Sequence, residues 1–361
     1  MMAIRAPRRR FRLAVAAAVT MLAAGCASSA ATLNPNGQSP VTFCVADPAL
    51  STSTAPYASV PIQKGFYAEK GLDVDVLAVK GATQCAIAVS TGEAFVAFGG
   101  MTSLLFAAQQ DDQLVIFYVT DRQRYGIAVP SDSPYQDVTE LKGKSIGAQD
   151  LAAAAYLYGQ AITDRAGMDP SSDVSWLNVG SGATAADALQ TGKIDAYATY
   201  TGPKEVVGDI LGSGLRYLPA EMTESPASAG FVVRRDDLEK HPELVAAFGK
   251  AVNEGIVFSQ ENPREATRLH WKQFPEQADQ ENVDRAVEVL RARAAEMSDP
   301  GEDGQLGYVP PEDVQATADS YVDGGLLETS VDTSTVVDLR LADQMNDFDR
   351  DAIIEMAKNP N

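Results

Sequence analysis

The side chains that most often carry out chemistry in proteins are few in this sequence and are not grouped. It has three cysteines and two histidines in 361 residues. His241 precedes a proline at a helix start and His270 lies beside a tryptophan, so neither has metal-ligand spacing to a histidine or cysteine. No candidate nucleophile has a base beside it. We therefore expect no metal, no cofactor and no catalysis, and a protein whose chemistry is binding.

Segment 80–100 indicates where such binding would occur. A β-branched run at 72–79 leads into a loop with Gly81, a helix-like spacing follows, and a short strand at 95–98 ends in Gly99 and Gly100. In an open α/β sheet, ligands bind at such strand exits because loop backbones and helix N-termini converge there with free N–H groups. The pattern predicts a site that holds a molecule without reacting with it.

Residues 1–25 predict a signal peptide. Five arginines precede a short apolar run, 13–24, which is too short to span a bilayer comfortably. The sequence LAAGC, 22–26, resembles the bacterial lipobox, although Ala23 stands where leucine is usual. The alternatives are a plain secretory signal with an incidental cysteine and, from the arginine run at 8–10, a twin-arginine route. We expect an exported protein, lipid-anchored at Cys26 on the extracytoplasmic face of the membrane, with 26–40 as a tether.

The chain is strongly acidic. Its formal net charge is −20, and loss of residues 1–25, which hold five arginines and no acid, would move it to −25. Such a surface repels phosphate backbones and anionic headgroups. This excludes nucleic acid as an expected partner and leaves the lipid as the expected membrane contact.

Beyond the tether, strand and helix patterns form two successive βαβ series. We expect lobe one at 41–125, lobe two at 126–235 and a completion of lobe one at 236–361. Helices in that last part are predicted at 242–259, 263–274, 281–297 and 311–323, with apolar stripes typical of core faces. Two strands would cross between the lobes as a hinge, with a ligand between the lobes.

Several ordered motifs carry a family resemblance. PIQKGFYAEKGLDVDVLAVKG at 61–81, STGEAFVAFGG at 90–100, DVTELKGKSIG at 137–147 and LQTGKIDAYAT at 189–199 resemble the periplasmic substrate-binding proteins of the nitrate, sulfonate and thiamine-pyrimidine group. Each motif alone is weak, but the set occurs in the family's order over roughly residues 41–275.

The resemblance implies a two-lobed α/β fold of the type II periplasmic-binding class. Each lobe would be a mixed, mostly parallel sheet flanked by helices, with two crossing hinge strands. The implied function is a monomeric solute-binding lipoprotein that delivers a small molecule to the permease and ATPase of an ABC importer. Ligand contacts to both lobes would stabilise a closed state that the permease recognises.

The motif matches also imply which loops face the cleft. We expect ligand contacts from lobe one and then lobe two at Ser51, Thr52, Thr83, Gln84, Met101, Thr102, Arg122, Asp150, Thr184, Tyr200 and Thr201. The alternative for each hydroxyl is a helix cap.

Cys44 and Cys85 remain if Cys26 is acylated. One pair in an oxidising compartment is a candidate disulfide, and the alternative is two buried free thiols. In the implied fold, strand two lies beside strand one, which makes a bridge from the first strand to the second helix geometrically plausible.

The ligand class is the least determined property. Arg122 and Arg124 favour an anion, whereas Tyr57, Tyr125, Tyr156 and Tyr200 favour a ring, with salt bridges and core packing as their alternatives. We expect a small organic solute with an anionic group, with or without a ring, rather than nitrate.

Two other functions occur on this fold. A desulfinase or pyrimidine-forming enzyme would need a nucleophilic cysteine at the first strand's exit or a histidine with a cysteine-rich motif. Here Cys44 is set back inside the strand, and no base lies near it in sequence. A sensor for a signalling receptor would use the same binding chemistry, and a kinase gene nearby, instead of an ATPase and a permease, would favour it.

Overall fold

The computed structural model describes residues 33–79, 81–121, 123–149, 151, 154–220, 224–278, 282–297, 304–323 and 327–360, with the backbone alone at 123, 124, 154 and 224. The predicted signal peptide and Cys26 therefore lie outside the described residues, as do Arg122 and Asp150.

The described strands form two separate sheets. In chain order the strands are β1 Ser39–Val45, β2 Leu72–Ala78, β3 Val96–Gly100, β4 Leu114–Thr120, β5 Gln123–Pro130, β6 Ser145–Ala148, β7 Ser175–Asn178, β8 Ala196–Tyr200, β9 Leu215–Tyr217, β10 Glu224–Ser225 and β11 Ala229–Arg234. The first sheet has the order β2-β1-β3-β11-β4 and the second β10-β5-β8-β6-β7, with β9 also paired to β5.

Helices connect and cover these strands. They are α1 Ser59–Gln63, α2 Phe66–Glu69, α3 Ala82–Thr91, α4 Met101–Gln110, α5 Ala154–Arg165, α6 Ala183–Gln190, α7 Thr201–Leu211, α8 Arg235–Lys240, α9 Pro242–Glu261, α10 Pro263–Gln273, α11 Val283–Met297, α12 Pro311–Asp323, α13 Thr333–Val336, α14 Ala342–Asn346 and α15 Arg350–Lys358. Short 3₁₀ turns lie at Thr52–Thr54, Val138–Leu141 and Pro275–Gln277. Within the described ranges, no helix combines the length and apolar character needed to cross a bilayer.

The first sheet is buried on both faces because its side chains alternate between two cores. Phe43 and Val45 of β1 pack with Phe248 of α9, whereas Cys44 faces the opposite side with α3 and α4. Its parallel part, β2-β1-β3, continues into antiparallel β11 and β4. The pairing of β1 with β2 confirms that strand two lies beside strand one.

The second sheet has the same layered construction. Ile127 and Ile146 belong to a core that includes α5, and Ala128 and Tyr197 belong to another that includes α6 and α7. Strands β7, β6 and β8 are parallel, and β5 joins them antiparallel. The mixed character expected for each sheet is therefore present.

Two short segments carry the chain between the sheets. The first lies between β4 and β5, and the second, 226–228, lies between β10 and β11. Because β11 pairs with β3 and β4, the chain returns to the first sheet before the expected lobe boundary at 235. The Ser228 N–H donates to the Asp121 carbonyl at 3.0 Å, so the segments are bonded to each other.

The four predicted C-terminal helices correspond closely to α9, α10, α11 and α12. Helices α4 and α7 were not predicted. Each begins directly after a strand, without a side-chain hydrogen bond from its N-cap residue, so the usual sequence signal for a helix start is missing.

Candidate functional site

A cleft of about 760 Å³ lies between the strand exits of the two sheets. Its lining from the first sheet includes Val45, Ala46, Asp47, Phe98, Gly99 and Gly100, and from the second Tyr125, Gln149, Ser181, Gly182, Tyr200 and Gly202. Asp121 and Ser228 line it at the crossing segments, and α11 adds Arg285, Arg293 and Glu296. Its volume is typical of a small-molecule site, ~300–1,000 Å³.

A buried ionic cluster occupies the floor of this cleft. The Arg293 guanidinium donates to Asp121 Oδ2 at 2.5 Å and to Glu296 Oε2 at 3.3 Å. Burial alone would lower the pKa of Arg293, but the neighbouring carboxylates outweigh it and raise that pKa above its ordinary value. Arg293 is therefore a permanent cation whose charge is already balanced by protein groups.

Glu296 sits in an unusual environment for a carboxylate. Burial raises its pKa to about 7, although Arg293 acts in the opposite direction. The backbone N–H of Gly202, near the N-terminus of α7, also lowers that pKa, and a Cβ placed on Gly202 would lie 3.0 Å from Glu296 Oε1. Helix α11 thus brings a carboxylate to the positive end of α7.

Two carboxylate oxygens in the cleft lack a hydrogen-bond partner of normal geometry within the described part of the chain. They are Asp121 Oδ1 and Glu296 Oε1. The side chains that carry them are only 2% and 8% exposed. A buried acceptor without a donor is costly, so both atoms are suited to accept from a bound molecule.

Aromatic rings line both sides of the cleft. Tyr57 and Phe98 are stacked with centroids 4.6 Å apart, and the Arg293 guanidinium lies 5.4 Å from the Phe98 ring. On the other side, the rings of Tyr125 and Tyr200 are 5.6 Å apart. Rings on both sides provide apolar surface for a flat ligand.

The loop after β1 is shaped by its own side chain and by a distant histidine. Asp47 accepts from the Ala49 and Ser51 N–H groups and from the Ser51 hydroxyl. His270 Nε2 bonds the Leu50 carbonyl at 2.8 Å, where Leu50 has a φ of 47°. These bonds position Ser51 and its neighbour Ser53 at the cleft.

The structure places only some of the predicted contact residues at this cleft. Ser51 and Tyr200 line it. Thr52 and Thr201 each lie one position before a lining residue, Ser53 and Gly202. Arg122 and Asp150 lie outside the described residues.

The other described predicted contacts are not among the lining residues of this cleft. Met101 is fully buried in the core that α3 and α4 share. Thr102 bonds Tyr321, and Thr184 donates to the Ser181 carbonyl in its own turn. Thr83 and Gln84 are exposed on the first turn of α3 and are not among the lining residues.

The ionic cluster was missed at the sequence level. Arg285, Val289, Arg293 and Glu296 are spaced by four, four and three, which places them on one face of α11. That spacing could have indicated a polar stripe on a helix otherwise interpreted as core packing. No comparable sequence pattern marks Asp121. Its unusual backbone conformation, with a φ of 67°, is known only from the structure.

Cys44 and Cys85 form a disulfide, with Cα atoms 5.4 Å apart and both side chains buried. The bridge joins β1 to the first turn of α3. Of the two alternatives, a disulfide and two free thiols, the structure has the disulfide. A thiolate at the first strand's exit, which a desulfinase-like mechanism would need, is not provided by a bridged Cys44.

Comparison with known proteins identifies relatives of this chain. Residues 56–266 match the NMT1/THI5-like family. The riboflavin-binding protein RibY of Chloroflexus aurantiacus is 30% identical over 232 residues, which are 62% of this chain and 63% of that protein. The chain spans less than two thirds of the curated relatives it matches, 63% and 58% of their lengths.

Solved structures share the fold at lower identity. The periplasmic nitrate-binding protein NrtA from Synechocystis PCC 6803 is 15% identical, with a TM-score of 0.58 over 90% of this chain and 99% of that one. The periplasmic aliphatic sulphonate-binding protein SsuA from Escherichia coli is 17% identical, with a TM-score of 0.56 over 82% and 91%. The predicted two-lobed α/β fold of the periplasmic-binding class is confirmed.

Proposed function

Because the chain belongs to the NMT1/THI5-like family, we propose that it is the solute-binding protein of an ABC importer. It captures a small organic molecule in the cleft between its two sheets and delivers it to a permease. The observation that supports this best is the cleft itself, about 760 Å³ and lined from both sheets. A molecule held by both sides stabilises their closed arrangement, which a permease can recognise.

The proposal extends to where the protein works. It is exported, acts as a monomer, and is held at the extracytoplasmic face of the membrane by a lipid on Cys26. The lipobox-like sequence at 22–26 supports this anchoring, and the acidic composition disfavours direct adsorption to anionic lipid.

The ligand is a small organic molecule that carries a ring. Aromatic side chains on both sides of the cleft support the ring, and its volume exceeds what a bare ion such as nitrate would fill. The anionic group expected from the sequence depended on Arg122 and Arg124, whose side chains the structure does not describe. RibY, by its name, binds a ring-bearing vitamin.

A ligand screen tests this function. Thermal shift followed by calorimetry with riboflavin, ethanesulfonate, benzenesulfonate, nicotinamide and nitrate should show saturable binding of at least one ring compound and none of nitrate. Replacing Tyr200 by alanine should weaken that binding about tenfold, because it removes ring contact inside the cleft.

Phe106→Ala is the matched control, since Phe106 is an exposed aromatic on α4 and does not line the cleft. It should leave the affinity unchanged. Binding of nitrate alone, or equal affinities of wild type and Tyr200→Ala, would contradict the proposed ligand class.

A further inference from the structure

Two buried carboxylate oxygens in the cleft indicate which hydrogen-bonding groups a ligand should carry. Asp121 Oδ1 and Glu296 Oε1 are buried carboxylate oxygens without a hydrogen-bond partner of normal geometry in the described ranges, and both residues line the cleft. Asp121 Oδ1 thus loses its hydration without gaining a donor, and the Glu296 carboxylate gains, besides Arg293, only the nearby N–H of Gly202. A ligand with N–H or O–H groups at these atoms would remove that penalty, whereas an anionic group placed there has only acceptors to offer.

The N-terminus of α7 is one position in the cleft where an anion could bind, since α4 and α6 also begin at lining residues, after Gly100 and Gly182. Helix N-termini attract anions through free N–H groups and the helix dipole. Here the Glu296 carboxylate of α11 already lies at this end, beside Gly202. A ligand anion would therefore meet a carboxylate of like charge at the position that should attract it.

Among the described lining residues, the cations do not offset this arrangement. Arg293 is paired with Asp121 and Glu296. Arg285 is exposed, so solvent and salt screen its charge. Of the described lining side chains that carry charge, Asp47, Asp121 and Glu296 are acids, and Arg285 and Arg293 are bases.

We propose that this cleft selects an uncharged, ring-bearing solute with N–H or O–H donors, and that Glu296 is the residue that sets this selectivity. Its carboxylate accepts from the ligand together with Asp121, and its position at the N-terminus of α7 disfavours an anionic group there. This inference rests on the proposed function and narrows its ligand class.

Matched pairs of probes that differ in charge test the selectivity on the wild-type protein. The pairs are benzenesulfonamide and benzenesulfonate, nicotinamide and nicotinate, and riboflavin and its 5′-phosphate. Measurements belong at a pH well above 7, where Glu296 is ionised. In each pair that binds, the uncharged member should bind about tenfold more tightly or better.

Glu296→Gln tests the residue. It removes the negative charge at nearly constant size, so the preference for the uncharged member should shrink about tenfold, mainly because the anionic member gains affinity. Glu288→Gln is the control, since Glu288 lies on the exposed face of the same helix and pairs with Arg291. It should keep the wild-type preference.

The outcomes separate this inference from the function it rests on. If wild type prefers the anionic members, the selectivity is refuted while the binding function stands. An unchanged preference in a folded Glu296→Gln protein refutes the role of Glu296. If no probe of any pair binds, the ring-bearing ligand class fails and the inference fails with it. Should Glu296→Gln not fold, the wild-type comparison alone decides the selectivity.

Discussion

Arg293 is the residue on which the charge balance of the cleft depends. Its side chain is 11% exposed, and its guanidinium contacts two carboxylates and the Phe98 ring. Removing one partner of a buried ion pair is strongly destabilising because the other charge remains in a poorly solvated site. Arg293 therefore stabilises the fold as well as lining the cleft. Because its charge is paired with two carboxylates, it is not free to bind an anionic ligand.

His270 acts at a distance from the cleft. It is fully buried, with Nδ1 at 2.9 Å from the Ser59 hydroxyl and Nε2 on the Leu50 carbonyl. Burial lowers its pKa from 6.5 to about 4, although the Leu50 carbonyl, Asp47 and Glu276 act in the opposite direction. The neutral imidazole thus holds the loop that presents Ser51 to the cleft.

This lowered pKa predicts a loss of stability in mild acid. Between pH 6.5 and about 4 the histidine of the unfolded chain takes up a proton and the folded one does not. The unfolding free energy therefore decreases as the pH is lowered from 6.5 to about 4, by about 3 kcal/mol in total. Urea unfolding at several pH values should show this fall in wild type and a flatter profile in His270→Gln.

His241→Gln serves as the comparison for the pH series. His241 precedes α9 and its side chain is 39% exposed, so its replacement should leave the bonds of His270 to Ser59 and Leu50 in place. Parallel profiles of wild type and His270→Gln would show that His270 does not contribute to the acid sensitivity.

Helix α11 completes the lining of the cleft because it contacts helices on both sheets. It packs on α9 and α10, which cover the first sheet, and also on α7 of the second sheet. Its polar face consequently meets the crossing segment at Asp121 and the N-terminus of α7. A helix that contacts both sides in this way can respond to changes in their separation.

The disulfide joins a central strand to the helix that follows β2. Its two cysteines are 41 residues apart, so the bridge restricts the unfolded chain by a loop of that length. The chain-entropy estimate for such a loop is on the order of 4 kcal/mol. The Cys44→Ala/Cys85→Ala protein should lose about that much unfolding free energy in urea.

Thiol counting checks the bridge directly. Denatured, unreduced mature protein should show no titratable thiol from this pair, and reduced protein should show two. Reduction of wild type should lower its unfolding midpoint, while the double alanine variant should not respond to the reductant. Two free thiols before reduction would show that the bridge does not form.

The net charge of the protein bears on how it is held at the membrane. The net charge of −20 disfavours direct adsorption to anionic lipid. We therefore expect membrane association to depend on the lipid at Cys26 alone. In cell fractions, wild type should partition into the detergent phase, and Cys26→Ser should move to the aqueous phase with its binding unchanged.

A wild-type protein found in the aqueous phase would refute the anchor and leave a plain secretory signal. Mass spectrometry of the mature N-terminus distinguishes the two cases, because an acylated chain begins at Cys26 and carries the added lipid mass. The export route does not affect this outcome.

Local secondary structure and the family could be predicted from the sequence alone. Period-2 and period-3.6 patterns are properties of neighbouring residues, so the strands around 41–46 and 95–98 and the long C-terminal helices could be predicted without the fold. The motifs over 41–275 identify the family in the same way, because they depend only on residue type and order along the chain. For Cys44 and Cys85 the implied fold made a bridge plausible but left two free thiols as the alternative, which the structure resolves.

The set of side chains that meet in the cleft depends on the three-dimensional fold. Asp121 and Arg293 are 172 residues apart, and no local pattern shows that the polar face of α11 reaches the crossing segment. Around β1 and β3, shifts of one residue place Ser53 rather than Thr52 at the cleft and turn Met101 into the core. The physical reason is that a side chain's direction is set by the exact backbone of its turn and by the packing of distant elements, neither of which is encoded in short-range spacing.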